Sequence, residues 1–403
     1  PRDEVTRVAE DEQPPTDAGL SHTAVDAIWD AVARYYDTGL QPAINLCVRV
    51  GGVKVIDRAI GHARGNTPAG VDEARLQLAD PSTPYNLFSA SKAITAMLVH
   101  HFDDEGLLHI DDRVATYIPE FAVHGKDKTT IRHVLNHRAG LPLVPAEKFD
   151  LDLLLDEEAV VRELSAARPV NVPGRKLAYH ALTGGFILAE ILRRVSGKPI
   201  REILDEHVRA KLGFEHFQYG MPEALLETAA EDVWTGPAPP FPLSIAVKRA
   251  FGGDMDTAVR LANDPRFRTG VIPSGNVFCT ADEASRFFEC LLRGGTLDGT
   301  RVFAERTVLR ARIEQSYHEY DAVLQYPFRF GLGFMLGSKH SSVFGPDTQE
   351  AFGHLGFTNV LVYADPERDM SVALLNNGKP LIAVEAIWWI NIARTIAREI
   401  PKR

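Results

Sequence analysis

The chain has 403 residues, with 44 Lys+Arg against 54 Asp+Glu, a formal charge of −10 and 45% hydrophobic residues, which is ample for a large core and excludes global disorder. The acidic balance removes the simplest electrostatic case for nucleic-acid or anionic-membrane binding, so no nucleic-acid partner is expected. Cys47, Cys279 and Cys290 form no C-x-x-C pair and are too few for a disulfide framework, and no structural zinc site is expected.

Residues 1–18 are acidic, contain proline and lack an apolar h-region, so they read as a disordered arm rather than a signal peptide. Cytoplasmic localisation is the default expectation. Val25, Ile28, Trp29, Val32, Tyr35 and Tyr36 then recur at helical spacing between Ser21, a candidate N-cap, and Gly39, a candidate C-cap. Ile44, Leu46, Val48 and Val50 alternate with Asn45, Cys47 and Arg49, and Gly51-Gly52 leads into Val53–Ile56, which is a β-hairpin pattern. From about Ser89 to Thr269 the patterns are mainly helical, as in Ala93–Asp104, Ala159–Ala167, Leu182–Val195 and Ile200–Lys211. The Pro-rich stretch Trp234–Pro242 reads as a surface loop. A second hairpin, Asn359–Tyr363 and Met370–Asn376 around Asp365-Pro366-Glu367-Arg368, precedes the apolar helix pattern Leu381–Ala393.

Strands at both ends with helices between them predict an α/β (α+β) fold: a mostly antiparallel sheet built from both chain ends, flanked by helices, with an inserted helical lobe. The expected division is 19–88 with 270–403 as the sheet domain and 89–269 as the helical domain, the active site lying at their interface. No apolar run is long enough to be a transmembrane helix. The oligomeric state is not legible.

There is no G-x-S-x-G elbow, H-E-x-x-H pair, P-loop or G-x-G-x-x-G cradle. There is Ser89-Ala90-Ser91-Lys92, an S-x-x-K tetrad opening a helical run. Positions i and i+3 share a helix face, so the Lys92 amine can reach the Ser89 hydroxyl. A serine at a helix N-terminus also meets free N–H groups suited to a developing oxyanion. Taken alone, the tetrad reads as well as a helix N-cap followed by a solvated lysine.

Its context is Leu87–Ala96, then Gly106–Phe121, Thr130–Pro142 and Pro273–Glu283, in that order. The series closely resembles the serine β-lactamase-like superfamily (class C β-lactamases, penicillin-binding proteins, D-aminopeptidases), and above all the family VIII carboxylesterases, from about residue 40 to 395. The resemblance implies that Ser89 is the nucleophile and Tyr179 a phenolic general base working with Lys92, although Tyr179 also reads as a core tyrosine. Ala181 stands where the family's Tyr-x-Asn motif has its asparagine. His354-Leu355-Gly356 stands where penicillin-binding enzymes have Lys-Thr-Gly, so His354 replaces a permanent cation; a structural histidine is the other reading. The backbone N–H groups of Ser89 and Phe357 would form the oxyanion hole, with Gly356 letting the strand come close. His180, Trp234 and Phe241 are candidate substrate contacts, while His100, His101, His133 and His137 read as packing or capping residues.

These departures point to a small neutral ester substrate, hydrolysed through an acyl-enzyme with neither metal nor cofactor. A β-lactamase or D-amino-acid peptidase, an acyltransferase, and a non-catalytic binding protein on the same fold are the alternatives.

Overall fold

The computed structural model of the chain describes residues 1–145, 150–237, 254–340, 342–357, 359–380 and 382–403. Its main sheet contains β1 (Thr6–Val8), β2 (Ala43–Val50), β3 (Val53–Arg64), β4 (Ser316–Tyr320), β5 (Pro327–Phe330), β6 (Met335–Leu336), β7 (Phe352–Leu355), β8 (Leu361–Asp365) and β9 (Met370–Asn376). The order across the sheet is β1-β3-β2-β9-β8-β7-β6-β5-β4, with the short strand Gln77–Leu78 beside β3 as the tenth. Every pairing is antiparallel. The two hairpins read from the sequence meet where β9 pairs with β2, Val372 opposite Val48, so the sheet is assembled from both chain ends.

Six helices matter for the site: α1 (His22–Tyr36), α2 (Ser91–Asp104), α3 (Glu157–Ala166), α4 (Thr183–Ser196), α5 (Ala281–Leu292) and α6 (Ile382–Glu399). The Ser21 hydroxyl accepts from the Ala24 N–H at 3.1 Å and so caps α1 as expected, but the helix ends at Asp37 rather than Gly39. Ile28, Val32 and Tyr35 of α1 join Trp389, Ile392 and Ile396 of α6 over Leu46, Val48, Val372 and Leu374 on one face of the sheet. On the other face Cys47, Ala373 and Leu375 pack into a cluster with Met97 of α2 and Phe287 and Phe288 of α5. Burial of each large side chain contributes about 1.5–3 kcal/mol, and here both faces contribute.

The alternation in β2 therefore separates two buried faces instead of an inside from an outside. Asn45 is buried, accepting from Tyr85 Oη at 2.9 Å and donating to the Asp80 carbonyl at 2.7 Å. Arg49 donates to Ser285 Oγ at 3.1 Å and pairs with Asp282 of α5.

Residues 1–18 do not form the expected disordered arm. β1 pairs with β3, Arg7 opposite Ala59, and two of the acidic residues that suggested solvation, Asp11 and Glu12, find cations on β3. Glu12 accepts from Arg58 Nε at 3.0 Å, and Asp11 lies 2.7 Å from Lys54 Nζ. Charge content marked the segment as polar, and only the fold shows that its partners sit on the neighbouring strand. No described helix is long and apolar enough to cross a membrane.

Candidate active site

Ser89 lies in the 3-10 turn Phe88–Ala90 that runs directly into α2. The turn is tightly held. Leu87 N–H donates to the Val277 carbonyl at 2.8 Å, and Phe88 N–H to Asn86 Oδ1 at 2.9 Å. Phe88 itself has φ +47°, an unusual conformation for a bulky residue that the surrounding bonds must hold in place. Ser89 is half-buried while its neighbours are buried, so its hydroxyl stays reachable. The Ser91 hydroxyl is fully buried and accepts from the Val277 N–H at 3.0 Å, which makes it a structural tie.

Lys92, one helical turn on, is buried and donates to Ser89 Oγ at 2.9 Å and to the Ser274 carbonyl at 3.1 Å. Desolvation holds its pKa well below the ordinary lysine value, and no carboxylate is paired with it among the described residues. Ser274 is fixed by the start of α4: its Oγ accepts from Gly185 N–H at 2.9 Å and donates to the Leu182 carbonyl at 3.1 Å. A Cβ on Gly185 would fall 2.2 Å from that Oγ, so glycine is needed for the approach.

Tyr179 comes from an irregular segment before α4. Its ring lies beneath Lys92 Nζ, 4.8 Å from the centroid, and packs 4.6 Å from His137 and 6.2 Å from His354. Burial pushes its phenol above the ordinary value, the Ser89 hydroxyl bond works against this, and the Asp321 charge adds to it. His354, on β7, is almost fully buried, with Nδ1 2.6 Å from the Leu355 carbonyl. Desolvation and then the neighbouring Lys92 lower its pKa to about 3, leaving a neutral imidazole.

Gly356 shows why the end of β7 can lie against the turn that carries Ser89: an added Cβ would lie 2.3 Å from the Leu87 carbonyl. Just beyond it, the Phe357 ring meets Phe88 at 5.2 Å, so the backbone of both intended oxyanion donors comes from adjoining segments. Trp234 is partly buried and packs with Phe357 against Met255. Phe241 lies outside the described residues.

His180 is not a substrate contact. It is fully buried, its Nδ1 lies 2.7 Å from the Ala178 carbonyl, and its Nε2 accepts from the Leu141 N–H at 3.3 Å, so both ring nitrogens are committed to backbone. Facing inward, it ties the Tyr179 segment to the Gly140-Leu141 turn. His100 bonds to the Leu332 carbonyl at 2.9 Å, and His133 forms a capping box with Thr130.

His137 packs against Tyr179 in keeping with its reading as a packing residue, whereas Ser274 stood within a motif segment with no supporting role assigned to it. Sequence reasoning missed Asp321 and Lys379 altogether, because their contacts are purely tertiary. Lys379 is fully buried, 3.3 Å from Asp232, and lies over the Phe88 ring at 4.9 Å, bracing the turn that carries Ser89.

The Beta-lactamase family model matches residues 30–397. An esterase/beta-lactamase, LipL, of Mycobacterium tuberculosis is 29% identical over 324 residues, covering 77% of this chain and 73% of the relative. Among solved structures, a penicillin-binding protein homologue from Caulobacter crescentus superposes with TM-score 0.79 at 28% identity, covering 94% of this chain and 98% of the other. A family VIII carboxylesterase superposes with TM-score 0.78 at 26% identity, covering 93% and 98%. With a family match spanning nearly the whole chain, and esterase relatives beside it, the chain belongs to the beta-lactamase family and is a serine hydrolase.

Proposed function

We propose that the protein is a carboxylesterase that hydrolyses short to medium acyl esters through an acyl-enzyme on Ser89. The observation that carries this reading is the buried neutral imidazole of His354 on β7, at the position where a permanent cation would bind a β-lactam or peptide carboxylate. Ala181, partly buried two residues after Tyr179, likewise offers no amide to a peptide or β-lactam side chain. A neutral ester needs neither contact.

The chemistry follows from the protonation states. Burial leaves the Lys92 amine neutral, with its nitrogen 2.9 Å from Ser89 Oγ, so Lys92 takes the hydroxyl proton as oxygen attacks the ester carbonyl. The carbonyl oxygen gathers the negative charge and is met by the Ser89 and Phe357 N–H groups. As the ester C–O bond breaks, the protonated Tyr179 phenol gives its proton to the departing alkoxide, and the Lys92 ammonium restores it. Water then attacks the acyl-enzyme, passing its proton along the same groups and returning Ser89 as the leaving oxygen. In this reading Lys92, rather than Tyr179 as the resemblance implied, is the base, because burial favours the neutral form of each.

A second reading, β-lactam hydrolysis by the same serine, is supported by the double name of the mycobacterial relative. Comparing kcat/KM for p-nitrophenyl butyrate and nitrocefin on one preparation separates the two. The missing hydrogen bond to a charged carboxylate is worth about 1.5–3 kcal/mol and the missing amide contact between neutral groups about 0.5–1.5 kcal/mol, so the ester should lead by roughly thirty- to two-thousandfold. Nitrocefin turnover equal to or above the ester's would reassign the chain as a β-lactamase.

A further inference from the structure

Tyr179 belongs to no helix or strand, yet its phenol must stand within hydrogen-bonding reach of Ser89. The groups that hold it come from a turn 142 positions away in the chain. Asp321 Oδ1 accepts three backbone N–H groups: Tyr179 at 3.1 Å, Val323 at 2.8 Å and Leu324 at 2.9 Å. The Ala322 N–H donates to the Leu177 carbonyl at 3.1 Å, which makes a second tie between the same two segments. Leu177 and Tyr179 share an apolar cluster, against which Val323 and Leu324 pack. Asp321 is fully buried, and its Oδ2 has no hydrogen-bond partner among the described residues.

One carboxylate oxygen gathers three backbone N–H groups, one of them that of Tyr179, so the two segments are pinned at a single atom. The carboxylate charge also acts on one nearby titratable group: it reinforces burial in keeping the Tyr179 phenol protonated. Geometry and charge thus converge on the same residue.

We propose that Asp321 is a positioning residue for the hydrolytic reaction, fixing the backbone of Tyr179 through one carboxylate oxygen so that its phenol stands beside Ser89 as proton donor to the leaving alcohol. The inference rests on the esterase reading given above. It differs from a structural role in one measurable way. A p-nitrophenolate leaves without a proton, whereas an alkoxide needs one, so a displaced phenol harms alkyl esters selectively.

The test is kcat/KM, which reports acylation, for p-nitrophenyl butyrate and ethyl butyrate with Asp321→Ala and Asp321→Asn, each checked by thermal melting. Asp321→Ala should lose about 10- to 100-fold more activity on ethyl butyrate than on the p-nitrophenyl ester, since small misplacement of a reacting group carries a penalty of that order. Asp321→Asn keeps an acceptor oxygen and should fall between Asp321→Ala and the native protein; it decides the question if the alanine variant does not fold. Equal losses on the two esters, or no loss, would overturn the inference. Tyr179→Phe run on the same esters keeps the two claims apart. If it shows no leaving-group dependence, the role given to Tyr179 fails; if it does and the Asp321 variants do not, only the role of Asp321 fails.

Discussion

Two lysines, both buried, sit in opposite electrostatic settings. Lys54 on β3 lies 2.7 Å from Asp11, 2.9 Å from Asp57 and 3.3 Å from Asp282, and against the desolvation of burial these carboxylates hold its pKa above the ordinary value. Lys92 on α2 meets a hydroxyl and a carbonyl, and desolvation alone takes its pKa well below. Burial is common to both, so the counter-charge decides the sign. The first lysine is a permanent cation knitting the N-terminal segment and α5 to the sheet. The second is an amine with a free electron pair held against a serine. What singles out Lys92 is that a buried amine without a counter-charge stands against a serine hydroxyl.

The sharpest way to break the contrast is to delete the uncompensated member. Lys92→Ala and Ser89→Ala should each lower ester kcat/KM by roughly 10³- to 10⁶-fold, and the double variant should lose little more than either, as groups acting as one unit do. Ser91→Ala, by contrast, removes the acceptor of the Val277 N–H and should reduce thermal stability while leaving a phosphonate able to label Ser89. Labelling at Ser91, or independent multiplication of the Ser89 and Lys92 losses, would contradict the pairing.

Deleting the compensated member should have the opposite profile. Lys54→Met strips the cation from Asp57, which is buried, and from Asp282, which keeps Arg49. Loss of one partner from a buried ionic cluster costs about 3–5 kcal/mol, visible in denaturant melts, with kcat/KM per folded molecule unchanged. The sign with pH is fixed by the raised pKa of Lys54: its stabilisation is present in full below its unfolded value of 10.5 and fades as pH climbs through the higher folded value. The gap between native and Lys54→Met melting should therefore be widest between neutrality and 10.5, narrowing in alkali as Lys54 loses its proton and in acid as Asp57, pushed up to about 6 by burial, takes one. A gap that vanished near neutrality would mean that Lys54 is not the cluster's cation.

The contrast also explains what could be read in advance. The strands of both hairpins, the helix begun at Ser21 and the Ser89–Lys92 face were legible because periodicity and spacing are local properties. The family's order of motifs placed Tyr179 and His354 near them, since motif order survives when contacts are unknown. What escaped was everything set by a distant partner: the ordering of residues 1–18 through Arg58 and Lys54, the inward commitment of His180, the second buried face of β2, and the hold of Asp321 on Tyr179. A histidine between a tyrosine and an alanine carries no signal of whether its nitrogens meet substrate or backbone. Likewise, an S-x-x-K tetrad gives no hint of whether carboxylates will be folded against its lysine.

The finest test supplies Lys92 with the counter-charge it lacks. His354 is close enough for the charges of Lys92 and His354 to oppose one another, so a carboxylate at 354 should act on Lys92 with the reverse sign. On the proposed mechanism activity needs neutral Lys92, so in the native protein it should rise with pH through the depressed pKa of that amine and reach its plateau well below 10.5. His354→Glu replaces a neutral ring by an anion that favours the ammonium, so the rising limb of the kcat/KM profile should move to higher pH. An opposite charge within a few ångströms shifts a pKa by about 1–3 units, and each unit lowers the rate about tenfold at a fixed pH below the limb. His354→Gln, neutral and polar, should leave the limb in place while altering the plateau, which separates charge from shape. Should the limb stay fixed in His354→Glu with the fold intact, the titration governing activity would not be that of Lys92, and the distinction drawn between the two lysines would lose its catalytic meaning.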